Sequence, residues 1–364
     1  MNNLVKQSGY VALLLPELRI GGAQKVFLTL AKEFIARGLR VDLVLLAEEG
    51  ELLAEIPGGV RLIPLGQKSS KSPIYLVRSL LELSRFLRKN RPDALLSTLT
   101  GTNLFAVVSH CLSHVPTRLV LREAAPLANI RHSYLLFLMR YLYRRADSVV
   151  ALTHFMKKEM EERLRIPSNK VIQLSNPIDL MRIEQDAAKP LPNDFDATCP
   201  YAIAIGRLAP QKDYITLLNA FAEVAKTNSL RLVILGEGPD RSLLEARVRD
   251  LSLENRIELR GFDSNPYRWI ARASVFVMSS RWEGYPNVLL EALALGKPVV
   301  STCYDASAQD LINNQSGFLV SVGDASALAE GIRNILDDTS TKKISLPAGV
   351  MEASLGYLKI MGCL

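Results

Sequence analysis

Cysteine is scarce in this chain, and what there is cannot be paired by pattern. Cys111, Cys199, Cys303 and Cys363 are the only four in 364 residues. They are scattered and include no C-x-x-C, so neither a disulfide framework nor a cysteine zinc site is indicated, and a reducing cytosol is the expected compartment. Long apolar runs are missing too. Nothing approaches the roughly 18 residues that a bilayer span requires, and Val11–Leu15 is too short for a signal-peptide core and runs into Pro16-Glu17. The chain is therefore expected to stay inside the cell and not to cross a membrane by itself. Internal repeats, low-complexity tracts and the G-x-G-x-x-G spacing of dinucleotide folds are also absent. What remains is a globular composition, 48% hydrophobic and 22% charged, long enough for two domains with a core each.

Acidic residues are short in one half only. Residues 1–180 hold 25 Lys and Arg against 15 Asp and Glu, whereas residues 181–364 hold 19 against 22. The whole net charge of +7 thus belongs to the N-terminal half. Such asymmetry calls for a polyanionic neighbour. No nucleic-acid module accompanies it, so an anionic membrane is the expected partner and nucleic acid is not. Two segments could make that contact. Pro73 to Asn90 carries Leu76, Leu80, Leu83 and Leu87 at helical spacing, with Lys68, Lys71, Arg78, Arg85, Arg88, Lys89 and Arg91 along or beside it. Arg131 to Arg145 interleaves Tyr134, Phe137, Leu138, Tyr141 and Tyr143 with Arg140, Arg144 and Arg145. Such helices suit a membrane interface, but they equally suit packing of the apolar face inside a domain.

The N-terminal half opens as strand, glycine turn, helix, strand: Tyr10 to Leu15, Gly21-Gly22, a helical pattern to Gly38, then Arg40 to Ala47. That is the start of a parallel α/β sheet. Further strands are expected at Asp93 to Ser97, Arg118 to Leu121, Asp147 to Leu152 and Val171 to Leu174, with a helix from Phe155 to Leu164. Strand C-terminal ends are where ligands bind in such sheets, which draws attention to Arg122-Glu123. His110 and His114, beside an apolar helical stretch, read as packed or solvated. Residues 185–199 read as a linker. The D-x-D of Asp194 and Asp196 inside it is assigned no metal, because it does not sit at a strand end.

In the C-terminal half, strand Tyr201 to Ile205 leads into a turn bearing Arg207 and Lys212, two cations that can converge on a diphosphate with the amides of the following helix. Leu232 to Leu235 leads into Gly236-Glu237-Gly238-Pro239. Val275 to Met278 leads into Ser280 to Thr302, where an apolar helix, Asn287 to Leu295, starts with Pro286 in the position of a first helical residue. Glu291 alone interrupts that helix. A carboxylate there needs a specific donor. It is either a core Glu satisfied by an Arg or a backbone N–H, or, together with Glu283 at the helix mouth, part of a grip on a polyhydroxylated ligand whose phosphates meet the helix N-terminus.

Glu283-Gly284-Tyr285-Pro286-Asn287 followed by Glu291 resembles the E-x7-E signature of the family 4 (group 1) retaining glycosyltransferases of the GT-B fold. Arg207 to Lys212 is similar to the family's G-R-x4-K, Gly236 to Pro239 to its G-x-G-P, Gly21-Gly22 to its glycine loop, and Ser175-Asn176-Pro177 to the motif leaving its first domain. The resemblance implies two Rossmann-like doubly wound parallel-sheet domains facing a cleft: residues 1–180 for the acceptor, 181–345 for the donor, and a tail, 346–364, crossing back toward the first. It implies transfer of a sugar from a nucleotide donor, UDP-linked, to a glycan or lipid-linked acceptor, with retention, no metal and no cofactor beyond the nucleotide-sugar substrate. Glu291 would hold the ribose, Glu283 the donor sugar, and Arg207 and Lys212 the diphosphate. Gly21, Gly22, Gly236, Gly238, Gly284, Tyr285, Pro286 and Asn287 would line the donor, and Glu123 would act near the acceptor. Location at the inner face of the cytoplasmic membrane follows. Ala124 and Ala125 replace polar residues usual after the Glu, and from about Lys342 the sequence departs from the family. A non-catalytic binding protein and a sugar-nucleotide epimerase of the same fold are the rival readings.

Overall fold

The computed structural model of the chain describes residues 9–66, 73–130, 132–196, 198–312, 316–338, 344, 346, 350 and 352–364. Its strands are short runs that are apolar on both faces, which only a parallel sheet covered by helices on each side can accept. The first unit runs β1 (Tyr10–Leu15), α1 (Gly22–Ala36), β2 (Arg40–Leu45), β3 (Arg61–Pro64), α2 (Pro73–Asn90), β4 (Ala94–Thr98), α3 (Thr100–Ser113), β5 (Arg118–Arg122), α4 (Ser133–Leu142), β6 (Ser148–Ala151), α5 (His154–Glu162) and β7 (Val171–Gln173). The seven strands are all parallel, in the order β3-β2-β1-β4-β5-β6-β7. Val11 to Leu15 and Leu95, Leu96, Leu119 and Leu121 are wholly buried, each large side chain contributing about 1.5–3 kcal/mol by leaving water. One acidic residue sits in the strands of this sheet. Asp42 is buried and takes hydrogen bonds from the Tyr10 hydroxyl at 2.5 Å and from Arg61 Nε at 3.0 Å, which ties β3 to the sheet and removes the cost of an unpaired buried carboxylate. Burial and the nearby Asp42 push the Tyr10 hydroxyl pKa up.

The second unit begins at Asp179 with α6 (Leu180–Ala188), then β8 (Tyr201–Ile205), α7 (Tyr214–Val224), β9 (Arg231–Leu235), α8 (Arg241–Asp250), β10 (Ile257–Gly261), α9 (Tyr267–Arg272), β11 (Val275–Met278), α10 (Asn287–Ala294), β12 (Val299–Thr302), α11 (Ser307–Leu311), β13 (Gly317–Val320) and α12 (Ala325–Asp337). Its six strands are parallel in the order β10-β9-β8-β11-β12-β13. Leu217, Leu218 and Phe221 of α7 and Leu328 and Ile332 of α12 pack with Ile234, Val277 and Val300 as one core. The last helix, α13 (Ala353–Ile360), belongs to the first unit, with Tyr357 and Leu358 buried and Gly356 against Leu174.

Three expectations change. The segment read as a linker from residue 185 is helical to Ala188, because Ile183 and Ala187 bury one face and the Asp179 side chain caps the N-terminus by accepting from Arg182 N. Phe195, further along it, is an anchor rather than an exposed residue, its ring 4.7 Å from that of Trp269. Pro286 stands at the cap of α10, one residue outside the helix. Lys68, Lys71 and Arg131 lie outside the described residues.

Candidate functional site

In each sheet the strand order reverses once, between β1 and β4 in the first unit and between β8 and β11 in the second. Connections on the two sides of such a point leave in opposite directions, and the crevice at the strands' C-terminal ends is where open α/β sheets bind ligands. The second unit fills this place with the two motif loops. The turn after β8 and the loop after β11 are stitched together: Ser279 Oγ donates to Lys212 O at 2.7 Å, Arg281 N to Gln211 O at 2.8 Å, Arg281 Nε to Asp213 Oδ2 at 2.9 Å and Gln211 Nε2 to Trp282 O at 2.9 Å. Asp213 caps α7 from a left-handed conformation, accepting from Thr216 N.

This stitching brings Lys212 to Glu283. Lys212 Nζ donates to Glu283 Oε1 at 2.6 Å, Ser280 Oγ to the same oxygen at 2.5 Å, and Gln211 Nε2 to Oε2 at 3.3 Å. Glu283 is buried, and three donors satisfy it. Arg207, at the start of the same turn, is exposed and makes no hydrogen bond or ion pair among the described residues. Loop 236–238 backs the turn. A Cβ on Gly236, whose φ is 145°, would lie 1.9 Å from Gly206 O, and one on Gly238 would lie 2.2 Å from Leu208 O. No side chain fits at either position. Leu208 N donates to Glu237 O and Asp240 N to Leu208 O, so these glycines shape the wall behind Arg207.

Gly284, Tyr285 and Pro286 connect Glu283 to α10, which starts at Asn287 without a side-chain cap. The amides of such a first turn suit an anion. Leu289, Leu290, Ala292 and Leu293 bury the packed face of α10. Glu291 is only partly buried and accepts from the Tyr267 hydroxyl of α9 at 3.3 Å. A tyrosine hydroxyl is thus one of the donors that Glu291 meets. Burial and the neighbouring Glu291 push the Tyr267 pKa up, so it remains a donor.

At the switch point of the first unit, Gly21 caps α1 and Gly22 is its first residue. The loop before them is held by the segment after β2: Leu18 N donates to Glu49 O, Leu52 N to Leu18 O, and Ile20 N to Glu51 Oε2 at 3.1 Å. Gly21 has an extended backbone, and a Cβ there would meet the flexible Gln24 side chain. At the end of β5, Glu123 does not stand open to solvent. It is 1% exposed and accepts from Thr100 Oγ1 at 2.9 Å and from the Tyr143 hydroxyl at 2.7 Å. Burial pushes its pKa up. Arg122, also buried, donates to Thr98 Oγ1 and to Asn176 Oδ1, and its guanidinium stands beside the Tyr357 hydroxyl of α13. Asn103 donates to both Tyr143 and the Arg122 carbonyl. Thr98, Thr100, Asn103 and Tyr357 were not singled out from the sequence, because each is an ordinary residue in its own segment, and Tyr143, read there as one of the aromatics of a membrane-facing segment, is instead wholly buried with its hydroxyl bonded to Glu123.

Other candidates are engaged elsewhere. Asp194 is paired with Arg260 at 2.8 Å, and Asp196 accepts from Thr198 N and Oγ1. His110 bonds the Thr117 carbonyl, and His114 that of Leu112. Among the described residues no group of three or more His, Cys, Asp and Glu is placed to hold a metal.

Comparison with known proteins adds a framework. Residues 20–182 match the family described as Glycosyltransferase Family 4, and residues 199–338 that described as Glycosyl transferases group 1. The chain is 29% identical over 340 residues, 89% of each chain, to N-acetylgalactosamine-N,N'-diacetylbacillosaminyl-diphospho-undecaprenol 4-alpha-N-acetylgalactosaminyltransferase of Campylobacter jejuni. It is 24% identical over 328 residues to the capsular polysaccharide biosynthesis glycosyltransferase CapM of Staphylococcus aureus, covering 85% of this chain and 84% of that one. Among solved structures it resembles Anabaena HepE in complex with UDP, with a TM-score of 0.76, 18% identity and 97% of each chain covered.

Proposed function

The chain belongs to the family 4 glycosyltransferases of the GT-B fold, and from that premise we propose that it moves a sugar from a UDP-linked donor to a lipid-linked or glycan acceptor in cell-surface polysaccharide or glycolipid assembly, with retention at the anomeric carbon. The observation that carries the donor assignment is the turn at the β8/β11 edge, where Lys212 meets Glu283 and Arg207 stands exposed at the start of the same turn. As the bond from the anomeric carbon to the diphosphate oxygen breaks, its electron pair leaves with UDP. Cations and amides placed around that oxygen stabilise the growing charge. Arg207, Lys212 and the first turn of α10 fill this role, so no metal is obligatory. Glu291 binds the ribose and Glu283 the hydroxyls of the donor sugar. The buried Arg122–Glu123 network holds the first unit's edge in shape for the acceptor.

Incubation with UDP-sugars and polyprenyl-linked acceptors, followed by mass spectrometry, tests this reading. The expected product is the acceptor heavier by one sugar, at a rate that EDTA leaves largely intact. Isomerised nucleotide sugar without acceptor would indicate an epimerase, and no product with any donor a binding protein. Loss with EDTA and rescue by manganese would return attention to Asp194 and Asp196.

The acceptor reading extends to an anionic membrane at the cytoplasmic inner face, and α4 supports it. Tyr134, Phe137, Leu138 and Tyr141 fall on one face of that helix and are 62%, 71%, 41% and 60% exposed, while only Met139 is buried. On α2 the pattern divides: Leu83 and Leu87 are buried, whereas Leu76, Val77 and Leu81 are exposed near Arg78 and Arg85. α3 packs against both helices. An aromatic face with Arg140, Arg144 and Arg145 beside it suits a headgroup layer. Each near-surface cation adds about 1 kcal/mol, screened by salt. The protein is expected to float with phosphatidylglycerol vesicles at low salt, and both an Arg85/Arg88/Arg140/Arg144 alanine variant and a Tyr134/Phe137/Tyr141 serine variant are expected to stay behind. Flotation of both variants at the wild-type level would remove this surface from the account.

A further inference from the structure

Lys212 and Glu283 are 71 residues apart in sequence and form an ion pair of 2.6 Å in which the ammonium side chain is 16% exposed and the carboxylate side chain 8%. The cation assigned to the donor diphosphate is thus already held, in the chain alone, by the carboxylate assigned to the donor sugar. The carboxylate is itself held in place. Ser280 is fully buried, its carbonyl accepts from Thr302 Oγ1 at 2.6 Å, and its hydroxyl donates to Glu283 Oε1 at 2.5 Å. Gln211 spans from the Trp282 carbonyl to Glu283 Oε2. Glu283 therefore cannot turn away from Lys212 without breaking contacts on both of its oxygens.

Resting on the donor-site reading above, we propose that the Lys212–Glu283 pair makes this site discriminate the nucleotide-sugar donor from the nucleoside diphosphate that transfer leaves behind. Any diphosphate that engages Lys212 must draw it from Glu283, leaving a buried carboxylate short of a partner, and a buried charge that loses its counter-ion is costly. A sugar-bearing donor offsets that cost, because its hydroxyls donate to the carboxylate that gave up the ammonium. Free UDP brings no hydroxyl to that position, and its terminal phosphate carries more negative charge than the substituted one of the donor. The product complex is raised relative to the substrate complex, which favours release of UDP. Glu283 is on this account a specificity-determining group acting through Lys212, and Ser280 and Gln211 are the positioning residues that keep it in reach.

Titration calorimetry with UDP alone reads the effect. Glu283→Gln keeps the shape of the side chain and an oxygen for Ser280 but frees Lys212, and it is expected to tighten UDP binding by about fivefold or more, the loss of a competing ion pair. Lys212→Met is expected to weaken UDP binding. Adding Glu283→Gln to Lys212→Met is expected to change little, since no ammonium remains to be freed. If Glu283→Gln does not fold, Glu283→Ala leaves Lys212 equally unclaimed and takes the same measurement. Unchanged or weaker UDP binding by the Glu283 variant overturns the proposal, as does a full gain in the Lys212→Met background. The donor-site reading fails separately, when Lys212→Met and Arg207→Ala both bind UDP as the wild type does.

Discussion

Lys212→Ala is expected to lower the rate of sugar transfer about a hundredfold or more, the scale on which one preorganised donor to a developing oxyanion counts, and to lower thermal stability as well. Arg207→Ala is expected to lower the rate on the same scale and leave stability unchanged. The difference comes from what each cation touches in the chain alone. Arg207 is exposed and bonds to nothing among the described residues, so its removal uncovers no charge. Lys212 is the counter-ion of a buried carboxylate, and its removal leaves Glu283 with the Ser280 and Gln211 donors only, at a cost of about 1–3 kcal/mol. The double variant Lys212→Ala/Glu283→Gln is expected to recover stability without recovering rate. Single-turnover transfer and thermal unfolding, measured side by side, separate the two effects. Wild-type transfer by Arg207→Ala and Lys212→Ala would end the assignment of this turn to the diphosphate.

How much of this was legible in the sequence depends on whether the cause is local. The helix over Pro73–Asn90 and the strand over Val275–Met278 follow from spacing and from runs of β-branched residues within one window. α9 and α11 are five or six residues long, too short for a helical period to declare itself. Gly236 and Gly238 were readable as a motif, but their cause is the backbone of residues 206–208, brought there by the sheet. The meeting of Lys212 with Glu283 and the burial of Glu123 are likewise products of strand order. A strand-end Arg-Glu looks open in sequence. Here Thr98 at the end of β4, Thr100 at the start of α3 and Tyr143 enclose it in hydrogen bonds. The basic, aromatic α4 had two readings in sequence, and the exposure of Phe137 and its neighbours leaves that face without packing inside the unit.

Glu291→Ala is expected to weaken UDP and UDP-sugar binding equally, by roughly 1.5–3 kcal/mol, the range for hydrogen bonds to a charged group. That corresponds to about ten- to more than a hundredfold in affinity. Equality is the diagnostic part. A carboxylate that grips the ribose makes the same contact with donor, product and transition state, so its loss alters binding and not the chemical step. The geometry gives the residue that freedom. Its helix buries Leu289, Leu290, Ala292 and Leu293, which leaves Glu291 on the partly exposed side. Its Tyr267 contact, at 3.3 Å, is long for a hydroxyl donor. An ionised carboxylate accepts at about four positions, so a diol can be added without displacing the tyrosine. Tyr267→Phe is accordingly expected to cost less than about threefold in UDP affinity, the share of one neutral donor. Were Glu291 instead a core carboxylate, Glu291→Ala would lower the unfolding temperature and leave calorimetric UDP binding at the wild-type value.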